Sequence, residues 1–309
     1  MKTRVLIKEG EYRLMKAGVR DAAIDAEALY CFLKKCDKVV LFLMKEEEAD
    51  KETEEAYFKL IAERASRIPL QHITGEQEFM GYKFKVSPDV LIPRQETEVL
   101  VTEAAKLLRE ERKTAVGERR QSRGGLFKVF STPPAQTVLD LCCGSGAIAI
   151  SLAKICEDVS ITATDISDAA LDLAKENAKA NRVEIEFLQG DLFEAFGNAP
   201  KSRVVRSYDL IVSNPPYIRT SMIGLLQEEV KDHEPLMALD GGPDGLDYYR
   251  RILADAYRYL REDGWLMFEI GYDQGEDLRR LITDSEHFTM PEIIHDLAGR
   301  DRIVRCRKA

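Results

Sequence analysis

Asn214-Pro215-Pro216-Tyr217 puts a side-chain amide, two consecutive prolines and an aromatic ring within four residues. The tetrapeptide follows the apolar run 209–213, which reads as a buried parallel strand. Ligand sites in open α/β sheets form at the carboxyl ends of strands. Proline fixes φ and has no N–H to donate, so the motif offers a stiff set of oxygen acceptors beside a flat ring. Such a cluster suits a planar –NH2 group attached to a π-system. The other reading is a tight turn with a core tyrosine, because Asn-Pro pairs commonly start turns.

A second constellation lies upstream. Residues 137–141 read as a strand, Cys142-Cys143-Gly144-Ser145-Gly146 as a turn, and Ala147–Ala149 as a helix start. Gly144 and Gly146 let a ligand approach the backbone closely. Gly144-x-Gly146-x-x-Ala149 also fits a dinucleotide fingerprint. Asp165 ends the next strand, where a carboxylate accepts from ribose hydroxyls, so both readings expect a nucleoside. Two features separate them. Asp140, just before the turn, is awkward beside a pyrophosphate but suits the ammonium of a methionine moiety. Asp191 ends the third strand, where it can accept from an adenine amino group while Leu192 packs on the ring. Asp140, Asp165, Asp191 and Asn214 at successive strand ends describe an S-adenosylmethionine pocket better than a hydride-transfer site. Each aspartate alone would also serve as an N-cap.

The elements that must position these groups follow from periodicity. Candidate strands at 137–141, 160–164, 184–188, 209–213 and 264–270 alternate with helical patterns. That alternation predicts an α/β fold with right-handed crossovers and a mainly parallel sheet covered on both faces. Residues 1 to about 70 read as helical, with one stripe through Ile24, Ala28, Leu29, Phe32 and Leu33 and another through Tyr57, Leu60, Ile61, Ala65 and Ile68, stopped by Pro69. This segment holds no catalytic cluster and reads as a small helical bundle that recognises a partner or covers a site. Residues 78–86 alternate about Gly81 as a hairpin. Leu91-Ile-Pro-Arg-Gln-Glu-Thr-Glu98 precedes a helix through Val99, Leu100, Ala104 and Leu107, with Arg94, Glu96 and Glu98 readable as a solvated helix start. From 109 to 136 the periodicity disappears among Gly117, Gly124, Gly125, Pro133 and Pro134, with Arg119, Arg120, Arg123 and Lys128 nearby. That stretch reads as a basic, flexible insertion, with RNA contact as the alternative. The expected domains are 1–72 (helical), 73–95 (hairpin linker) and 96–309 (catalytic).

Composition narrows the classes. The 309 residues are 32% charged and 45% hydrophobic, an ordinary soluble mixture. Net charge of −9 argues against a broad phosphate-binding face. The amino terminus lacks the apolar core of a signal peptide, and no run is long enough to span a membrane. Six cysteines show neither a paired framework nor zinc spacing, so a reduced cytoplasmic setting and no metal are expected. Cys142-Cys143 reads as small buried thiols in a turn, with redox chemistry the alternative.

Asp140-x-Cys142-Cys143-Gly144-Ser145-Gly146 resembles the glycine motif of class I methyltransferases, with cysteines where glycine and a small residue are usual. Asn214-Pro-Pro-Tyr217 resembles the motif of amino methyltransferases acting on planar nitrogens, which adenine methyltransferases share. Together with Leu91–Glu98, Ile73-Thr74-Gly75, Glu78-Phe79 and Glu234-Pro235, these motifs resemble the release-factor glutamine methyltransferases over nearly the whole chain. The long insertion after Arg109 departs from that pattern. The resemblance implies a class I (Rossmann-like) fold with a small amino-terminal helical domain, S-adenosyl-L-methionine as methyl donor, and N5 methylation of the glutamine in the Gly-Gly-Gln motif of peptide chain release factors. Asp140, Cys142, Cys143, Gly144, Ser145, Gly146, Asp165, Asp191, Leu192 and Asn214 would hold the cofactor. Asn214 and Pro215 would accept the two amide hydrogens and Tyr217 would pack against the amide plane. Pro216, Arg94 and Glu98 would shape the substrate pocket. The amino-terminal helices would bind the release factor; a monomer is expected, with no stable nucleic-acid partner and no membrane. The alternative is an adenine-N6 methyltransferase acting on a flipped base of DNA or RNA. The acidic balance and the lack of a recognisable nucleic-acid module stand against it.

Overall fold

Helix-forming sequence fills the first part of the chain as α1 (Thr3–Lys16), α2 (Ala22–Lys34), α3 (Lys38–Met44), α4 (Lys51–Ala65) and α5 (Leu70–Thr74). The computed structural model describes residues 1–122, 134–197 and 206–309. By contact the chain forms two compact units: Met1–Glu76 with Val86–Pro88 and Leu226–Glu234, and the remainder.

The helical unit is built on a core that includes Leu6, Leu14, Leu29, Tyr30, Leu41, Tyr57 and Ile61. In α2 the buried face is Ala22, Asp25, Ala26, Leu29 and Tyr30. Ile24 and Phe32 of the expected stripe are exposed. The reason is an ion pair: Arg64 Nε donates to Asp25 Oδ2 at 2.7 Å, so a residue counted as polar turns inward with its partner. Arg64 also donates to the Ile68 carbonyl (3.1 Å) and to Glu229 (2.9 Å). Pro69 stands at the N-cap of α5, after α4 has ended.

The catalytic-type unit begins with a hairpin of β1 (Glu76–Phe79) and β2 (Tyr82–Lys85). Met80 and Gly81 both have positive φ, as a two-residue hairpin turn of this hand requires. Next comes α6 (Thr97–Ser122), which runs well past the point where periodicity is lost. Residues 109–122 are therefore helical rather than irregular. They hold no proline and only one glycine among strong helix formers. Residues 123–133 of the expected insertion lie outside the described residues.

The alternation then follows as β3 (Gln136–Leu141), α7 (Ala147–Ile155), β4 (Val159–Asp165), α8 (Asp168–Asn181), β5 (Glu186–Gln189) and β6 (Tyr208–Ser213). After the short α9 (Thr220–Ile223) and α10 (Glu228–Lys231) come α11 (Asp247–Tyr259), β7 (Leu260–Glu269), α12 (Gly275–Asp284), β8 (Glu292–His295) and β9 (Asp301–Arg307). The seven strands lie in the order β5-β4-β3-β6-β7-β9-β8. All pairings from β5 to β7 are parallel, while β9 runs antiparallel to β7 and β8. Each face carries its own core, one with α6 and α7 and the other with α11 and α12. Among the described residues no helix is long and apolar enough to cross a membrane, and all six cysteines are free thiols.

Candidate active site

Strand order reverses between β3 and β6, and a crevice forms at such a switch point. Their register pairs Leu141 with Ser213, so Cys142 and Asn214 leave the sheet side by side. The cleft there is lined by Cys142, Cys143, Gly144 and Ser145, by Asp165, Ile166 and Ser167, and by Asn214 and Pro216. Asp89, Val90, Leu91, Pro93, Arg94, Thr97, Met237 and Tyr248 complete much of the wall.

The turn after β3 is held in a form that few residues accept. Gly146 has φ +79°, and a Cβ there would lie 3.1 Å from Ala174 Cβ. Cys142 adopts φ +60° without being glycine, and its side chain packs against the core beneath. Burial pushes the thiols of Cys142 and Cys143 well up, so both stay protonated and poorly nucleophilic.

The aspartates divide by environment. Asp165 lines the cleft and accepts from Gly144 N (2.8 Å) and Ser167 N (3.0 Å). Burial raises its pKa and these bonds oppose the rise. Asp140 is fully buried behind the turn. Its Oδ2 accepts from Ala149 N at 3.1 Å, Oδ1 has no partner, and burial pushes its pKa up to about 8. Asp191 is paired with Arg251 at 2.8 Å, and Leu192 belongs to the core. Asp140, Gly146, Asp191, Leu192, Pro215 and Tyr217 are not among the lining residues.

Around Asn214 the structure shows polar contacts that the sequence did not disclose. Asn214 Nδ2 donates to Thr97 Oγ1 at 3.2 Å, which leaves Oδ1 as the end available to a ligand. Nearby, Glu269 is only 1% exposed, and its Oε2 has no hydrogen-bond partner. Tyr217 OH donates to Glu269 Oε1 at 3.3 Å. Burial pushes Glu269 up to about 7, opposed by the Thr97 hydroxyl, the Arg302 charge and Tyr217. Tyr217 thus points its hydroxyl toward a buried carboxyl rather than the cleft, and its carbonyl accepts from Gln274 Nε2 at 3.0 Å. Pro215 and Pro216 are both buried, and Pro216 lines the cleft. Glu98 accepts from Met80 N at 2.7 Å and braces the hairpin, while Arg94 lines the cleft. Thr97 sits inside a motif already singled out, and Glu269 repeats the signature of a carboxylate at a strand end. Gln274 carries no comparable signal. Among the described residues no His/Cys/Asp/Glu cluster could hold a metal.

The donor set fits S-adenosylmethionine. A strand-end carboxylate, Asp165, lies in the cleft wall, as ribose hydroxyls would require, and Asp140 behind the turn keeps one oxygen unpartnered.

Comparison with known proteins agrees. Residues 6–75 match the family described as PrmC N-terminal domain, and residues 124–230 the family described as Methyltransferase small domain. The chain is 39% identical to the release factor glutamine methyltransferase of Geobacter sulfurreducens, across 94% of this chain and 91% of that protein. Against the protein of the same description from Moorella thermoacetica it is 38% identical, covering 98% and 97%. Among solved structures, the hMettl16 catalytic domain in complex with the MAT2A 3'UTR hairpin 1 superposes with a TM-score of 0.52 at 14% identity, covering 80% of each chain. That likeness speaks to the fold alone.

Proposed function

Because the chain belongs to the family of release factor glutamine methyltransferases, we propose that it methylates the side-chain amide nitrogen (N5) of the glutamine in the Gly-Gly-Gln motif of peptide chain release factors. S-adenosyl-L-methionine supplies an electrophilic methyl group on a sulfonium. The observation that carries the reading is the state of Asn214: its donor end is occupied by Thr97, so its acceptor end serves the cleft.

A glutamine amide nitrogen is a weak nucleophile because its lone pair is shared with the carbonyl. Asn214 Oδ1 and the Pro215 carbonyl accept its two hydrogens, which fixes the nitrogen and favours the pyramidal form that carries developing positive charge. Catalysis then comes from positioning and preorganised dipoles. No strong base is required before transfer, since the acidified proton leaves afterward. Cys142 to Ser145, Asp140 and Asp165 hold the donor, and Arg94 with Pro216 shapes the acceptor side. Asp191 accepts from the adenine amino group and Leu192 packs on the purine ring. Recognition of the release factor is assigned to the helices of residues 1–72. A net charge of −9 supports a protein acceptor over a nucleic acid, and a cytoplasmic setting accords with this substrate.

The test uses labelled S-adenosyl-L-methionine with purified release factor, a release factor whose loop glutamine is replaced, and DNA. Label on the first alone is expected. Label on DNA but not on the factor would overturn the reading. Asn214→Ala should lose about a hundredfold or more in rate while still binding the donor.

A further inference from the structure

We propose that Asn177, buried within α8, is a positioning residue for the methyl donor: its side-chain amide fixes the glycine turn that receives S-adenosyl-L-methionine and locks that turn to the β1–β2 hairpin. The assignment rests on the methyl-transfer reading above. Asparagine suits a helix interior poorly, because its side chain competes for backbone hydrogen bonds. Here it is 0% exposed, and a buried amide must find partners or weaken the fold. Those partners show what it does.

Asn177 Oδ1 accepts from Lys85 N at 2.7 Å, and Nδ2 donates to the Lys85 carbonyl at 3.1 Å. The amide pairs with both backbone groups of one residue in β2, and that pairing settles which of its ends faces which way. Nδ2 also donates to the Ser145 carbonyl at 3.0 Å. That carbonyl belongs to the peptide unit whose N–H, on Gly146, donates to the Cys143 carbonyl at 2.8 Å. The peptide is pinned at both ends and cannot rotate without breaking a bond. Ser145 lines the cleft beside Gly144, whose N–H is held by Asp165 at 2.8 Å. The helix comes this close because Ala174, one turn before Asn177, is small: a Cβ on Gly146 would lie 3.1 Å from its Cβ. Asn181 Nδ2 donates to the Lys83 carbonyl at 3.0 Å, so two asparagines of α8 hold β2. Of the two, Asn177 is the one that reaches the turn. A turn already fixed in its binding form spares the donor the cost of ordering it.

The experiment is calorimetric titration of the full chain and its variants with S-adenosyl-L-methionine, with amide hydrogen exchange and steady-state methylation measured alongside. Asn177→Leu keeps roughly the volume and favours a helix, but it offers nothing to the Ser145 carbonyl. Its Kd for the donor should rise about tenfold or more, with KM for the release factor at saturating donor within about twofold of wild type. Asn181→Ala removes the neighbouring hairpin bond and leaves the turn untouched, so its Kd should match wild type. That control separates fixing of the turn from general loosening of α8 against β2. In the wild type, bound donor should slow exchange of the Lys85 amide, because opening its bond to Asn177 frees the turn. This last measurement needs no variant and decides the matter if Asn177→Leu does not fold. Wild-type Kd in Asn177→Leu, a loss confined to KM for the release factor, an equal rise of Kd in Asn181→Ala, or Lys85 exchange that ignores the donor overturns the assignment alone. A wild type that binds no S-adenosyl-L-methionine sinks the functional reading and this inference with it.

Discussion

At the scale of single residues, burial decides what the carboxyls do. Asp140 is sealed behind the glycine turn with one oxygen unpartnered, and desolvation lifts its pKa to about 8. An unfolded Asp titrates near 3.9. The folded form thus holds its proton more tightly, and the stability this confers is full below the unfolded pKa and lost as pH rises through about 8. Within that window the loss is at most about 1.4 kcal/mol per pH unit. Urea unfolding of the ligand-free protein at pH 5 and pH 8 should show it, and Asp140→Asn should flatten the difference. Residue types alone revealed Asp140, Asp165 and Asn214, because strand-end carboxylates and an Asn-Pro-Pro turn are visible in one dimension. Direction was not visible. Nothing in the sequence says that Tyr217 turns to Glu269, or that Arg251 claims Asp191, because both partners come from distant parts of the chain.

Elements impose a different kind of constraint. The segment after the tetrapeptide is strapped by backbone bonds: Ile218 N donates to the Leu239 carbonyl (3.0 Å) and Gly241 N to the Ile218 carbonyl (2.8 Å). A Cβ on Gly241 would lie 2.7 Å from Tyr217 Cα and 2.9 Å from the Pro216 oxygen. Gly241→Ala should therefore cost about 1–3 kcal/mol through overpacking. It should depress methyl transfer more than donor binding, which calorimetry and turnover together would show. In the helical unit, Asp25→Ala would leave Arg64 buried with Glu229 as its remaining acidic partner. A loss of about 3 kcal/mol is expected, visible as faster hydrogen exchange in α2 and α4. The central strands β3 and β6 are legible because their runs are apolar and mostly buried. The face of α2 was misread because a paired charge behaves as a core residue. The length of α6 does not show in the sequence because residues 109–122 hold only two apolar side chains, Ala115 and Val116, and so no stripe to count. Neither β8 nor β9 was foreseen: β8 is only four residues long, and β9 places charged residues at both its ends.

Taken as a whole molecule, the fold class and the switch-point location of the site follow from alternation of strand and helix, whereas the network around Glu269 required the packed sheet. Donor binding should stabilise the whole catalytic-type unit by mass action. At equal concentration, S-adenosyl-L-methionine should raise the melting temperature more than methylthioadenosine, which lacks the amino-acid portion. Asp140→Asn should narrow that gap; an unchanged gap would place the ammonium elsewhere.

Residues Leu226–Glu234 belong to the helical unit although they follow Asn214 in sequence. Arg67 bonds both oxygens of Glu229, Arg64 joins them, and although burial works against it, these bonds hold the Glu229 carboxylate down to about 2. A fragment cut after residue 76 would lose that carboxylate, leaving Arg64 only Asp25 as an acidic partner and Arg67 without Glu229. The helices at the front of the gene are thus not a detachable module: they are finished by a stretch translated some hundred and fifty residues later, and shuffling or excising them by a single cut would hand on an incomplete part.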